Sequence, residues 1–184
     1  MTKGATSRTE DKTSYEALKG EFGYKNKLQA PRLTKVVVST GTGKIKDKKK
    51  VELIQNRLAA ITGQKSAPRG AKKSIATFKV RQGDVIGFQI TLRGSRMFDF
   101  LDKLNHIALP RSRDFRGING KVIDDMGNMT IGVKEHTIFP ETSDENLSDV
   151  FGFAITLVST AKSKKEAEAF FRHLGVPLQG GEEK

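Results

Sequence analysis

Apolar residues recur along this chain at two spacings, and the spacing changes at Gly, Pro and short polar clusters. Tyr15, Leu18 and Phe22 share one helical face, and Gly23 follows where a helix ends. Residues 33–40 carry three consecutive valines, the signature of a buried strand, which the glycines at 41 and 43 break. Asp47 precedes a second helix with Val51, Ile54, Leu58 and Ile61 on its apolar face and Gly63 at its end. Residues 75–81 and 85–93 read as two antiparallel strands joined around Gln82-Gly83-Asp84. Ser95 reads as the cap of a helix lined by Met97, Phe98, Leu101, Leu104 and Ile107, and Pro110 reads as its stop. Residues 121–124 and 129–134 suggest a hairpin around Met126-Gly127-Asn128, and 151–160 another strand. Ser163 and Glu166 stand as a capping box before a last helix that buries Ala167, Phe170, Phe171 and Leu174.

This order predicts an α+β fold: a mainly antiparallel β-sheet with helices packed on one face and long basic loops between them. The expected organisation is a disordered tail over residues 1–13, one folded domain over 14–179 and a flexible tail over 180–184. The longest apolar runs are far too short to span a bilayer, and the first residues hold no apolar segment of a secretory signal, so a cytoplasmic protein is expected. There is no cysteine, hence no disulfide and no thiolate metal site. His106, His136 and His173 are dispersed, and Asp124 and Asp125 point to opposite faces of a strand, so neither a metal, a cofactor nor acid–base catalysis is expected.

Charge changes the picture. The chain holds 33 Lys and Arg against 21 Asp and Glu, a formal net charge of +12, which favours a polyanionic partner. The centre of that charge is the stretch 66–81, SAPRGAKKSIATFKVR, where Arg69, Lys72 and Lys73 occur with no acid among them. Such cations neutralise phosphates and release counterions, and Ser74 adds a hydrogen-bonding group. Phe78 reads as a stacking ring or, at a strand position, as a buried one. Ser39, Thr40, Gly41, Gly43 and Lys44 follow a strand and precede a helix, as a phosphate loop does, yet Val38 and Ile45 occupy positions where a Walker motif needs Gly and Ser or Thr. An anion cradle and a plain strand-to-helix turn both remain open there. Arg93 and Arg96 flank another strand end, and Arg111, Arg113 and Arg116 form a further cluster whose alternative is salt bridging to acids such as Asp114. Separated basic clusters at element ends suit RNA, which is read largely by shape and backbone. The acidic stretch 141–149 reverses the sign locally and suits either solvent or a basic protein.

Five motifs occur in one order: Gly63-Gln64-Lys65, Phe78-Lys79-Val80-Arg81-Gln82-Gly83, Thr91-Leu92-Arg93-Gly94, Pro110-Arg111-Ser112-Arg113-Asp114-Phe115-Arg116-Gly117 and Ile138-Phe139-Pro140-Glu141. With the closing Thr160-Ala161-Lys162-Ser163, this pattern closely resembles the bacterial ribosomal protein L five family over residues 14–179. The resemblance implies a structural constituent of the cytoplasmic ribosome that attaches 5S rRNA in the central protuberance of the large subunit, beside 23S rRNA and other 5S-binding ribosomal proteins. It implies 5S rRNA contacts at Ser39, Thr40, Gly41, Gly43, Lys44, Gln64, Lys65, Arg93 and Arg96. It implies a loop toward P-site tRNA at Arg69, Lys72, Lys73, Ser74, Ile75, Ala76 and Phe78. It also implies a bridge to small-subunit protein S thirteen at Arg111, Arg113, Arg116, Glu141, Asp144 and Glu145. Ser39-Thr40 stands where the family usually has Asn-Met, so hydroxyls replace a side-chain amide there. The alternatives in other classes are a phosphate-handling enzyme built on residues 41–44 and a free-standing regulator that binds mRNA.

Overall fold

The computed structural model describes residues 6–45, 47–113, 115–142 and 150–179. The elements are helix α1 (Ser7–Phe22), strand β1 (Leu33–Gly41), helix α2 (Lys48–Thr62), strands β2 (Ala67–Gly70) and β3 (Val85–Leu92), helix α3 (Ser95–Lys103), a π-helical segment (Leu104–Ala108), the short α4 (Leu109–Arg111), strands β4 (Met129–Val133) and β5 (Phe153–Ser159), and helix α5 (Lys164–His173). The strands form one antiparallel sheet in the order β2-β3-β1-β5-β4, an α+β arrangement. Burial alternates residue by residue along β1, β4 and β5, so the sheet has a buried face and a more open one. The chain groups into two compact units: Met1–Val36, Leu92–Ile131 and Thr156–Lys184 in the first, Val37–Thr91 and Gly132–Ile155 in the second.

In the first unit α1 begins at Ser7, so residues 7–13, expected to be part of a disordered tail, are helical; residues 1–5 and 180–184 lie outside the described residues. The reason is tertiary. The Ser7 backbone N–H and hydroxyl both donate to Asp102 Oδ1, at 2.9 and 2.6 Å, and Thr13 Oγ1 lies 3.1 Å from His173 Nε2. Farther along, the Ser14 hydroxyl donates to the Pro31 carbonyl at 3.0 Å. Tyr24 donates to the buried carboxylate of Glu166 at 2.5 Å, and the other Glu166 oxygen accepts from the Lys162 N–H at 2.7 Å. The Ser163 side chain caps α5 as the sequence predicts, accepting from the Glu166 N–H.

Two local expectations fail in this unit. Pro110 does not end the helix; it sits inside α4, at the start of a turn. Proline lacks an N–H and its ring crowds the preceding turn, and the helix accommodates it by widening into the π segment just upstream, where the Leu109 N–H donates to the Leu104 carbonyl. Ile107, inside the π segment, is 42 % exposed rather than buried, and the N-terminus of α3 has no side-chain cap, since Ser95 is its first helical residue. The hairpin expected over 121–134 is reduced to a 3₁₀ turn (Gly120–Val122) and a single bridge between Ile123 and Met129 ahead of β4.

In the second unit Asp47 caps α2 by accepting from the Lys49 N–H, and Ile54, Leu58 and Ile61 are buried, as the periodicity predicts. The strand expected over 75–81 is displaced. β3 pairs instead with β2, Ala67 opposite Gln89 and Arg69 opposite Gly87, with a register shift between Arg69 and Gly70. Pro68 reads as a loop residue by composition, but β2 is the edge strand of the sheet, where a missing N–H costs no ladder bond. Residues 71–84 thereby become an excursion from the sheet edge.

Candidate nucleic-acid interface

The open face of the sheet in the second unit is built from small residues. Ser39 and Gly41 on β1, Gly87 on β3, and Gly152 and Ala154 at β5 line a shallow cleft of ≈ 460 Å³ with Arg69 and Gln89. Each pair is two residues apart, so each falls on the same face of its strand. Arg69 borders this cleft from the edge strand, its Nε–H donating to Gln89 Oε1 at 2.6 Å. That bond fixes the guanidinium plane, and no carboxylate among the described residues pairs with it. Ile86, Phe88 and Phe153 complete the lining, and the oriented, unneutralised guanidinium offers a fork of donors that suits a phosphodiester backbone. Gly87 is what closes the sheet here. A Cβ on it would stand 2.5 Å from the Thr40 carbonyl oxygen.

Gly87, Gln89, Gly152 and Ala154 were not singled out by sequence reasoning. The available signal was the alternation of small or polar residues with apolar ones along 86–90 and 151–155, and it marks an open face only once the strands are paired. Conversely, Thr40 is buried and its hydroxyl donates to the Gly152 carbonyl at 2.9 Å, so Ser39 alone of the hydroxyl pair stands on the open face. Gly41, Gly43 and Lys44 are exposed. The turn they form spends two of its N–H groups within the fold. The Thr42 and Ile45 N–H groups donate to the Ile86 and Thr42 carbonyls, and the N-terminus of α2 is capped by the Asp47 carboxylate, which repels phosphate.

The excursion 71–84 is internally bonded. Ala71 and Asp84 close its neck, Ile75 and Val80 exchange two backbone hydrogen bonds at 3.0 and 3.3 Å, and the Ser74 hydroxyl accepts from the Gln82 N–H. Lys79 turns the tip with φ 51°. Lys72, Lys73, Ala76 and Lys79 are all exposed, and among them Phe78 is 70 % and Ile75 47 % exposed. A phenyl ring held in water amid cations is a stacking surface for bases, sequence-tolerant because every base has a π-face. The structure therefore separates two groups that the linear sequence runs together. Arg69 belongs with Ser39 and Gly41 on the sheet, and Lys72 to Phe78 belong to the tip.

The remaining expected contacts fall as follows. Lys65 is exposed; Gln64 is half-buried with its amide donating to the Thr91 carbonyl at 3.4 Å. In the first unit Arg93 and Arg96 are exposed at the start of α3, and Arg111, the last residue of α4, is exposed together with Arg113 and Arg116 in the stretch after it. That stretch is pinned at its far end by Ile118, whose N–H donates to the Pro177 carbonyl at 2.7 Å. Glu141 is an exposed residue of the second unit, while Asp144 and Glu145 lie outside the described residues.

Comparison with known proteins covers nearly the whole chain. The family model for the C-terminus of the ribosomal L5 family matches residues 85–178, and that for ribosomal protein L5 matches residues 26–81. Large ribosomal subunit protein uL5 of Anaeromyxobacter sp. (strain K) is 48 % identical over 170 residues, 92 % of this chain and 94 % of the relative. The proteins of the same name from Ureaplasma urealyticum serovar 10 and Trichlorobacter lovleyi are 47 % and 44 % identical, covering 88 % and 89 % of this chain and 89 % and 92 % of their own. With two family models matching 26–81 and 85–178 and such identity over 88–92 % of its length, the chain belongs to the ribosomal protein L5 family.

Proposed function

We propose that the chain holds 5S rRNA in the central protuberance of the large ribosomal subunit, against 23S rRNA and other 5S-binding proteins, through the open sheet face around Arg69. The family is one of structural ribosomal proteins, not enzymes, and its setting is the large subunit of the cytoplasmic ribosome. The observation that carries the reading is the Arg69 guanidinium, held by Gln89 at a cleft that Ser39, Gly41, Gly87 and Ala154 also line. A fixed fork of donors suits a structured RNA recognised by shape. The excursion tip, with Lys72, Lys73 and exposed Phe78, meets P-site tRNA without reading its sequence, as a part that serves every tRNA must. The arginines of 111–116 and the acidic residues from Glu141 onward bridge to small-subunit protein S thirteen, the acids matching a basic partner.

The test is a titration of the protein against 5S rRNA and a size-matched structured RNA across a salt series. 5S rRNA is expected to bind tighter by orders of magnitude at physiological salt. Arg69→Ala is expected to weaken it and to reduce the magnitude of the log–log salt slope by about 1. Equal affinity for both RNAs, or an unchanged slope in the variant, refutes the reading.

A further inference from the structure

A second cavity, of ≈ 210 Å³, lies in the first unit between α1 and the segment that leads into β1. It is lined by Asp11, Lys12, Tyr15, Glu16, Lys27 and Arg32, among others. Its chemistry is asymmetric. Asp11 is half-buried, and its Oδ1 accepts from the Leu33 N–H at 2.8 Å, while its second oxygen has no hydrogen-bond partner among the described residues. Burial pushes the Asp11 carboxyl above its ordinary range, against the pull of the Leu33 N–H and the Arg32 charge. The second oxygen is thus an acceptor that faces the cavity side of a half-buried carboxylate and is open to an incoming donor. Lys12, Lys27 and Arg32 are exposed around it, none of them in an ion pair among the described residues, and Tyr15 offers a half-buried ring whose one face carries the Lys19 ammonium, 5.5 Å from its centre, leaving the other for a base.

We infer that this cavity is a binding pocket for an unpaired guanine nucleotide of RNA, with Asp11 reading the base, Tyr15 stacking on it, and Lys12, Lys27 and Arg32 holding its phosphates. The inference rests on the reading of the chain as an RNA-binding protein. Guanine is the base whose Watson–Crick edge presents two adjacent donors, N1–H and the 2-amino group, to a single carboxylate. Adenine and cytosine each present a donor beside an acceptor, and uracil one donor between two acceptors, so all three leave the carboxylate facing a lone pair. An arginine of a partner protein also presents two parallel donors. It is disfavoured here because three cations surround the carboxylate and only Glu16 adds a second negative charge. A nucleotide reverses that sign, carrying its negative phosphates to the cationic rim while its base meets Asp11.

The experiment uses the full chain, with GMP, IMP and AMP as probes and backbone amide NMR shifts as readout. GMP is expected to shift the resonances of Lys12, Tyr15 and Arg32. It should bind about five- to hundred-fold tighter than AMP, the range of one bidentate base contact, with IMP between them because it lacks the 2-amino group. Asp11→Asn keeps an oxygen for the Leu33 N–H, so the fold should melt unchanged, while the preference for GMP over AMP disappears. Lys27→Ala should weaken GMP but leave guanosine unaffected. GMP and AMP binding alike, shifts that map elsewhere, or no shifts at all overturn the inference. So does tighter binding of an arginine-rich peptide than of GMP. These outcomes are independent of the 5S rRNA titration. If the wild-type protein ignores 5S rRNA, the larger reading fails; if Asp11→Asn retains guanine preference, only the pocket does.

Discussion

Gly87→Ala isolates the packing on which the sheet face depends. In the wild-type chain β3 approaches β1 so closely that an added Cβ would lie 2.5 Å from the Thr40 carbonyl oxygen and 3.6 Å from the Gly41 Cα. A carbon against a carbonyl oxygen ordinarily stands at about 3.3 Å or more, so the strands must part by roughly 0.8 Å. The opposing atom is backbone, and its strand is held on the other side by the Thr40 hydroxyl bond to Gly152, so no flexible group can move aside. Overpacking of this kind costs about 1–3 kcal/mol, and straining the adjacent bond from the Thr42 N–H to the Ile86 carbonyl, 2.8 Å long, adds about 1 kcal/mol. The expected loss is thus about 2–4 kcal/mol, seen in urea unfolding as a lower midpoint with unchanged m-value. Gly41→Ala is the control. Nothing lies within 4 Å of its Cβ position and its φ is not positive, so its stability should stay within about 0.5 kcal/mol of wild type. Because Gly87 also lines the cleft beside Arg69, the variant's residual folded population should bind 5S rRNA more weakly. A Gly87→Ala protein as stable as the Gly41→Ala control would refute the close approach itself.

Asp102→Ala removes the acceptor shared by the Ser7 N–H and hydroxyl. It should cost about 1–3 kcal/mol and speed hydrogen exchange selectively over residues 7–13, and uniform exchange along α1 would argue against that anchor. His136 is fully buried and stacked on Phe151, and burial, followed by the Arg57 charge, holds its pKa below the ordinary 6.5. The unfolded chain therefore takes up the proton more readily, so the stability His136 contributes is complete above pH 6.5 and falls as pH drops from there toward the lowered folded-state value. His136→Asn should flatten that part of the stability–pH curve, and an unchanged curve would assign the dependence elsewhere. Lys72→Ala/Lys73→Ala and Phe78→Ala should leave stability and 5S rRNA affinity nearly intact, since all three side chains are exposed, while loosening P-site tRNA on assembled ribosomes. Equal loss of both affinities would end the division between sheet face and loop tip.

Local chemistry was enough to locate much of the architecture. Period and punctuation marked β1, α2 and α5: three valines in a row, Ile54, Leu58 and Ile61 at helical spacing with Asp47 before and Gly63 after, and Ser163 three residues ahead of Glu166. Those signals are local because caps and amphipathic faces are made within a turn or two of the chain. The density of Lys and Arg likewise pointed to a polyanion with no fold in hand. Other features depended on partners far away in sequence. Residues 7–13 are polar and look disordered until Asp102 supplies the acceptor for Ser7. Pro68 reads as a loop until β2 is found at a sheet edge, and that pairing moves Arg69 from the loop to the cleft that Ser39 also lines. Phe78 could have been core or ligand surface. Burial is a property of the assembled chain, and with the strand relocated to 67–70 nothing remained to cover the ring. Sequence determines which groups a chain can offer, but only the pairing of distant strands decides which of them face the solvent together.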